Sequence, residues 1–493
     1  MSSPMDQDQA PVLDALDIVQ RHPITGFGGP GHNMGQGVDD DIRALLGQRA
    51  FEADVLTPKG LDDRSESAQV MQRAWALAAE AWGGDLCRFG IGGSTQALQI
   101  AISALAGPGE PVLIARNAHR AEFNAAVLAG VDLRVLPVVV DRDLDIEHGV
   151  DPAVLAAQLE ACPTAKAVVV VSPSFYGVTS DIPALATVCH ARGVPLVVDS
   201  AWGAAHAFCS GLPEAATRQG ADIVVSSVHK TMGALAQGSV SVVSGELVDP
   251  GRFILAYESF RTTSPSVPIL ASIDAARRHH VRDGERLWGE VLAQARQARR
   301  QLADIDGVAV RGREILGGAG AVDLDETKVV FSVKGLGITG FQADEWLQAE
   351  RRVSVVLADM DHLLAVFGIG TQQADTDRLV DAVAALAAAA RAGDERLGRP
   401  DQPVPSVADL DVEMAMPAAV AFRAPYEIVP LRESIGRIAA EIVGPSPPEV
   451  PRLVPGQRIG AVHVSYLLGC LAAGAYLPDP TNHGKDRIRV VRA

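Results

Sequence analysis

The stretch PLVVDSAWGAAHAFCSGLPEAATRQGADIVVSSVHK (195–230) holds two short apolar runs, PLVV and DIVV, and each stops abruptly at polar residues. The first closes on Asp199 and the second on Ser226 and Ser227, with Lys230 just beyond. Both runs are apolar throughout instead of alternating with polar residues, the pattern of strands buried on both faces of a parallel sheet. Working outward, PVLIAR (111–116), LRVLPVVV (133–140) and AVVVVSPS (167–174) repeat it, with helix-patterned segments between them. The rhythm predicts an α/β fold, a mostly parallel sheet covered by helices, over about residues 85–245. Ligands of such sheets bind beyond the carboxyl ends of the strands. The polar residues that close these runs are therefore the candidates for chemistry.

The rest of the chain bounds the problem. Its 493 residues exceed what one hydrophobic core organises, and a formal charge of −17 argues against a nucleic-acid surface. The basic run Arg277-Arg278-His279-His280 reads as a solvated helix face. Five cysteines are scattered without CxxC or zinc-type spacing, which fits small buried residues in a reducing compartment, with neither a disulfide framework nor a metal site. The acidic N-terminus has no signal-peptide pattern, and no apolar run approaches the roughly 18 residues of a membrane span, so a cytoplasmic protein with no membrane partner is expected.

Lys230 sits where a parallel sheet opens its ligand site, in SSVHKTMGALAQGS (226–239), with Ser227 and His229 beside it. A lysine that attacks an aldehyde must lose its proton, and desolvation at a strand end promotes that. Asp199, 31 residues earlier, ends a wholly apolar strand and needs a cationic partner, unless it caps the next helix. Pyridoxal 5′-phosphate (PLP) answers both: its aldehyde takes the lysine, and its pyridine nitrogen stays protonated only beside an anion. Trp202 either donates its indole N–H to the phenolic oxygen of that cofactor or packs in the core. In GIGGSTQALQIAISALAG (90–107), glycines precede Ser94 and Thr95 and a helix pattern then begins, a phosphate cradle in combination with the rest and a plain serine cap without it. His119, in ARNAHRAEF (115–123), either stacks on a pyridine ring or is an ordinary satisfied histidine. The hydroxyls of RTTSPS (261–266) reach a phosphate, of this or a neighbouring subunit, or form an ordinary ST-turn.

Taken together, GGST, RNAHR, SPSFYG, DSAWG, SVHK and TTSPS resemble, in order and spacing, the bacterial Orn/Lys/Arg decarboxylase family of fold-type-I PLP enzymes. PGHNMGQG (30–37), LDDR (61–64) and the segment 424–459 resemble it too. The resemblance implies an aspartate-aminotransferase-like large domain with a small α/β domain and a C-terminal α+β domain. The expected division is an N-terminal arm at 1–60, a PLP-binding domain at 61–290, a small domain at 291–395, and a linker with the C-terminal domain at 396–493. At this length the chain resembles the shorter branch, without a wing domain. The family's roles, carried over by position, put the cofactor on Lys230, Asp199 against the pyridinium and His119 on the ring, and make these three the catalytic set. Ser94, Thr95, Ser227 and His229 would surround the phosphate, and Thr262 would come from the other subunit of a homodimer, or higher homo-oligomer, with a shared site.

The same resemblance implies decarboxylation of a basic amino acid, giving cadaverine, agmatine or putrescine from lysine, arginine or ornithine. Departures from it fall on the substrate side: DSAWGAAH where the shorter enzymes carry DEAHGAH, Asn33 in PGHN, Gln457 in PGQ, and Val356 where a glutamate is expected near the substrate side chain. Asp359 or Asp361 is a candidate replacement. Transamination or oxidative deamination on the same cofactor is the alternative chemistry, and a non-catalytic PLP-binding relative is the alternative class.

Overall fold

The computed structural model describes residues 5–22, 27–56, 69–401, 403–446, 449–477 and 486–492. The LDDR motif at 61–64 lies outside the described residues. Helices α1 (Pro11–Arg21) and α2 (Val70–Trp82) precede a sheet of seven strands. These are β1 (Leu86–Gly90), β2 (Pro111–Ala115), β3 (Asp132–Leu136), β4 (Ala167–Val171), β5 (Leu196–Asp199), β6 (Ile223–Ser226) and β7 (Ser239–Val243), in the spatial order β1-β7-β6-β5-β4-β2-β3. In this sheet only β7 runs against its neighbours. The mostly parallel α/β fold expected from the sequence is the one found.

The unbroken apolar runs have a direct cause. Successive strand residues point to opposite faces, and here each face has its own core. Val112, Ile114, Val169, Val197 and Val225 pack on one side against helices α3 (Gly93–Leu105) and α4 (Arg120–Ala129). Leu113, Val168, Val170, Val198 and Val224 pack on the other, against Leu155, Leu159 and Leu185. The run LRVLPVVV does not stay one strand: β3 stops at Leu136, ahead of Pro137, which has no N–H for a ladder, and Val140–Asp141 pairs instead with Ile146–Glu147.

A one-turn helix α5 (Val228–Thr231) follows β6, and the 37-residue α6 (Val267–Ala303) then leads to a second, antiparallel sheet. Its strands β8 (Ala309–Arg311), β9 (Lys328–Ser332), β10 (Leu357–Ala358) and β11 (His362–Val366) lie in the order β8-β9-β11-β10, and α7 (Gln373–Arg391) follows. The apolar run VSVVLA (353–358) forms a strand only over its last two residues. Arg352 leaves the preceding turn in the left-handed region (φ +54°), so only Leu357 and Ala358 reach register with β11. The basic run 277–280 also differs from expectation. Helical periodicity turns Arg277 and His280 inward, and Arg277 is fully buried against Asp274 (3.1 Å) while donating to the Gln7 carbonyl (2.8 Å). Asp274 also accepts the Val12 N–H (2.9 Å), so this part of α6 ties down the N-terminal segment.

The C-terminal part contributes the pair β12 (Tyr426–Pro430) and β13 (Arg487–Val491), and helix α8 (Ala461–Ala472). It is joined to the large sheet by charge as well as apolar packing. Arg452 donates to the Glu147 carboxylate (2.8 Å) with both side chains nearly enclosed, at 7% and 8% exposure, and Arg116, just beyond β2, donates to the Arg452 carbonyl (3.1 Å). Removing one partner of a buried pair leaves the other uncompensated. Glu147→Ala is therefore expected to cost about 3–5 kcal/mol in equilibrium denaturation. A loss below about 1 kcal/mol would show that water reaches the Arg452 guanidinium.

Candidate active site

The carboxyl ends of β4, β5 and β6 and the N-terminal ends of α3 and α4 open on one cavity of about 410 Å³. Ser94, Thr95, His119, Asp199, Trp202, Ser227, His229 and Lys230 all line it. Thr262 does not. It is exposed in the turn before α6, where its Oγ1 accepts the Ser264 N–H (3.1 Å), so within this chain it forms the ST-turn. A larger, more open cleft of about 680 Å³ is lined by residues such as Glu80, Arg218 and Glu285 and contains no lysine.

Each side chain is placed by its element. Asp199, the last residue of β5, is buried, and its Oδ1 accepts the Ala201 N–H (2.9 Å). Lys230 leaves α5 toward the cavity, and its Nζ lies 4.4 Å from the Trp202 ring centroid. Burial holds the Lys230 ammonium below its ordinary value of 10.5, against the opposing pull of Asp199 and Glu122. Ser94, in the first turn of α3, and Ser227, after β6, bring their hydroxyls within 2.6 Å of each other. Gly93 sits there at φ +68°, a conformation that glycine adopts without strain. His229 lines the cavity, but its Nδ1 is tied to the Gly238 carbonyl (2.9 Å).

The ring of Trp202 is braced from behind. Its carbonyl accepts from Lys328 Nζ (2.9 Å), and Lys328 pairs with the buried Asp325, which also meets His206 Nε2 (2.9 Å). Burial pushes the Asp325 carboxyl up, but Lys328 and His206 outweigh it and hold it well below the usual carboxylate range. The Trp202 indole N–H itself is buried and has no acceptor among the described residues.

His119 caps α4. Its Nδ1 accepts the Ala121 N–H (3.2 Å), so the ring proton resides on Nε2, 3.7 Å from Glu449 Oε2. Glu449 belongs to the C-terminal segment and adopts φ +60°, a strained conformation for a residue with a side chain, and its carboxylate also meets Arg120 (3.5 Å). The two replacement candidates, Asp359 and Asp361, do not line this cavity, and both are committed elsewhere. Asp359 accepts from Tyr176 Oη (2.7 Å) and the His362 N–H (2.6 Å), and Asp361 from Arg399 (2.6 Å) and Lys334 (3.0 Å). Val356 is 37% exposed and donates its N–H to the Leu364 carbonyl (2.9 Å).

The family model described as "Orn/Lys/Arg decarboxylase, major domain" matches residues 10–375, and that of the family's C-terminal domain matches 406–482. The chain belongs to this family. Arginine decarboxylase of Bacillus subtilis (strain 168) is 34% identical over 489 residues, 99% of each chain, and arginine decarboxylase of Halalkalibacterium halodurans is 34% identical over 99% of this chain and 98% of its own. Those lengths agree with the shorter branch. Among solved structures, the Francisella novicida lysine decarboxylase LdcF superposes with a TM-score of 0.80 at 19% identity, over 98% of this chain and 81% of that one. The E. coli constitutive lysine decarboxylase gives 0.78 at 20%, over 99% and 82%. At those identities the superpositions speak for the fold. This decarboxylase is accordingly a PLP-dependent carbon–carbon lyase acting on a basic amino acid.

The cavity fits that cofactor. It offers a lysine, an anion at a strand end, a hydroxyl pair at a helix N-terminus and a buried indole donor without an acceptor. One residue of the neighbourhood escaped the sequence reading. Glu122 on α4 is fully buried, and neither carboxylate oxygen has a donor among the described residues. Burial, then the Asp199 charge, push its carboxyl well above the ordinary 4.5. It stands inside a helix, one residue past Ala121 on the cavity wall, and the apolar Ala125 and Ala126 one turn on were the sign of its depth.

A carboxyl that keeps its proton when folded and loses it when unfolded makes stability fall as pH rises above 4.5, because the native state then binds more protons. Glu122→Gln removes that dependence. Its advantage over the parent should be absent below pH 4.5 and grow by about 1.4 kcal/mol per pH unit above it, until the native carboxyl ionises. Denaturation midpoints at several pH values check this, and a flat difference would sink it.

Proposed function

We propose that this decarboxylase acts on arginine, releasing carbon dioxide and leaving agmatine. The observation that carries the substrate is full-length identity of 34% to two proteins named arginine decarboxylase. When bound, PLP supplies the electron sink that accepts the pair left on Cα as carbon dioxide departs.

The chain's own residues have the following proposed roles. Lys230 carries the cofactor, and its lowered proton affinity keeps more of the amine in the nucleophilic form. Once displaced by substrate, the same amine is within the cavity to hand a proton to Cα. Asp199 provides the anion that keeps the pyridine nitrogen protonated, and His119 holds the ring face. The Ser94–Ser227 hydroxyl pair, with Thr95, His229 and the N-terminus of α3, holds the phosphate, where unpaired N–H groups and the helix dipole favour an anion. Trp202, braced through Lys328, gives its otherwise unanswered N–H to the phenolic oxygen. Thr262 is exposed and outside the cavity of its own chain, which suits a contribution to the partner subunit's phosphate in a homodimer with shared sites. The working place is the cytoplasm. Among the described residues no helix is long and apolar enough to cross a membrane.

The test is to incubate the purified protein and PLP with arginine, lysine and ornithine separately, and to measure carbon dioxide, amine, ammonia and ketoacid. Arginine should give carbon dioxide and agmatine in equal amounts, with the other two slower. Ammonia or ketoacid without carbon dioxide would overturn decarboxylation in favour of transamination or oxidative deamination. Lys230→Ala should lose the visible absorption of bound cofactor and lower turnover by roughly 10²–10⁴-fold. Sedimentation should show a dimer or larger assembly.

A further inference from the structure

Glu122 has no place in the roles above, yet it is a fully buried acid just behind the cavity wall. It lies on α4 between His119, which caps the helix, and the helix interior, and its neighbour Ala121 lines the same cavity as Asp199. Both Glu122 oxygens are shielded from water and from every donor among the described residues. The charged groups that act on it are Asp199 at the end of β5 and Lys230 on α5.

Two ionised carboxylates are acceptors only, so a buried contact between them is repulsive and leaves lone pairs unanswered. One proton changes the contact: a carboxylic acid donates, and its neighbour, still an anion, accepts. Lys230 does not supply this donor, since neither Glu122 oxygen is bonded to it. Asp199 has a complementary need. Its Oδ1 has the Ala201 N–H, one donor for a buried group that can accept several.

We infer that Glu122 is a positioning residue, a neutral carboxylic acid that donates its O–H to Asp199 and holds that carboxylate in place for the cofactor's pyridinium. Burial and the Asp199 charge both favour the protonated form of Glu122. In this arrangement the pair carries one proton and one negative charge. Asp199 is gripped from two sides, by the backbone of its own turn and by α4. The inference rests on the proposed pairing of Asp199 with the cofactor, and its test separates the two.

Infrared spectra of the full chain at neutral pH, before PLP is added, should contain the carbonyl band of a protonated carboxyl that is missing from Glu122→Gln. Absence of that difference overturns the inference whatever the cofactor does. PLP dissociation constants then test the role. Glu122→Met, similar in size but without a donor, should bind PLP roughly ten- to a hundredfold more weakly, the range for a hydrogen bond to a charged group. Its melting temperature is measured alongside, so that a weaker affinity is read on folded protein. Glu122→Gln, which keeps an N–H donor, should recover most of the lost affinity. A methionine variant that binds like the parent, or a glutamine variant as weak as the methionine one, would overturn the positioning role. Asp199→Ala supplies the remaining arm. Should it leave PLP affinity unchanged, the pairing with the pyridinium fails, while the infrared result still decides the proton between the two acids.

Discussion

A charge taken out of water must find a counter-charge, a set of hydrogen bonds or a proton. Four places in this decarboxylase obey that rule in three different ways. Asp274 and Arg277 pair inside α6 and fasten the N-terminal segment. Glu147 and Arg452 pair across the join to the C-terminal part. Asp325 gathers Lys328, His206 and Thr327, and through Lys328 it fixes the backbone of Trp202. At the strand ends the balance is deliberately incomplete. Asp199, Glu122 and Lys230 share a site with too few donors, and an indole N–H stands there without an acceptor.

The sequence disclosed the large sheet because burial on both faces is written as continuous apolar runs, and two separate cores now account for them residue by residue. It singled out the polar residues at the ends of such runs, and eight of the nine candidates line one cavity. Elements controlled by distant partners were harder. HLLAV (362–366) became a strand through pairing with β9 and β10, whereas VSVVLA, the more obvious run, was cut short by Arg352. Arg277 looked solvated because a basic run hides which of its members faces Asp274. Glu122 was passed over although Ala125 and Ala126, one turn on along the same face of α4, are apolar and buried. Thr262 was linked to the site by resemblance, and its own chain leaves it in a surface turn.

The substrate side remains the part where chemistry is least dictated by the cofactor. Val356 stands where an acid was expected, and Asp359 and Asp361 are already held, by Tyr176 and His362 in one case and by Arg399 and Lys334 in the other. These acids stabilise the second sheet and its link to the segment beyond α7. Neither acid lines the cavity at the strand ends.

Glu449 changes how the halves of the molecule relate. A residue of the C-terminal segment accepts a left-handed backbone, worth about 1 kcal/mol or more of strain, and places its carboxylate beside His119 on the wall of the cofactor cavity. The C-terminal part is thereby a contributor to the electrostatics of the site and cannot be regarded as an interchangeable attachment. A tail without an acid at this position would change the charge beside His119, even with every strand-end residue unchanged.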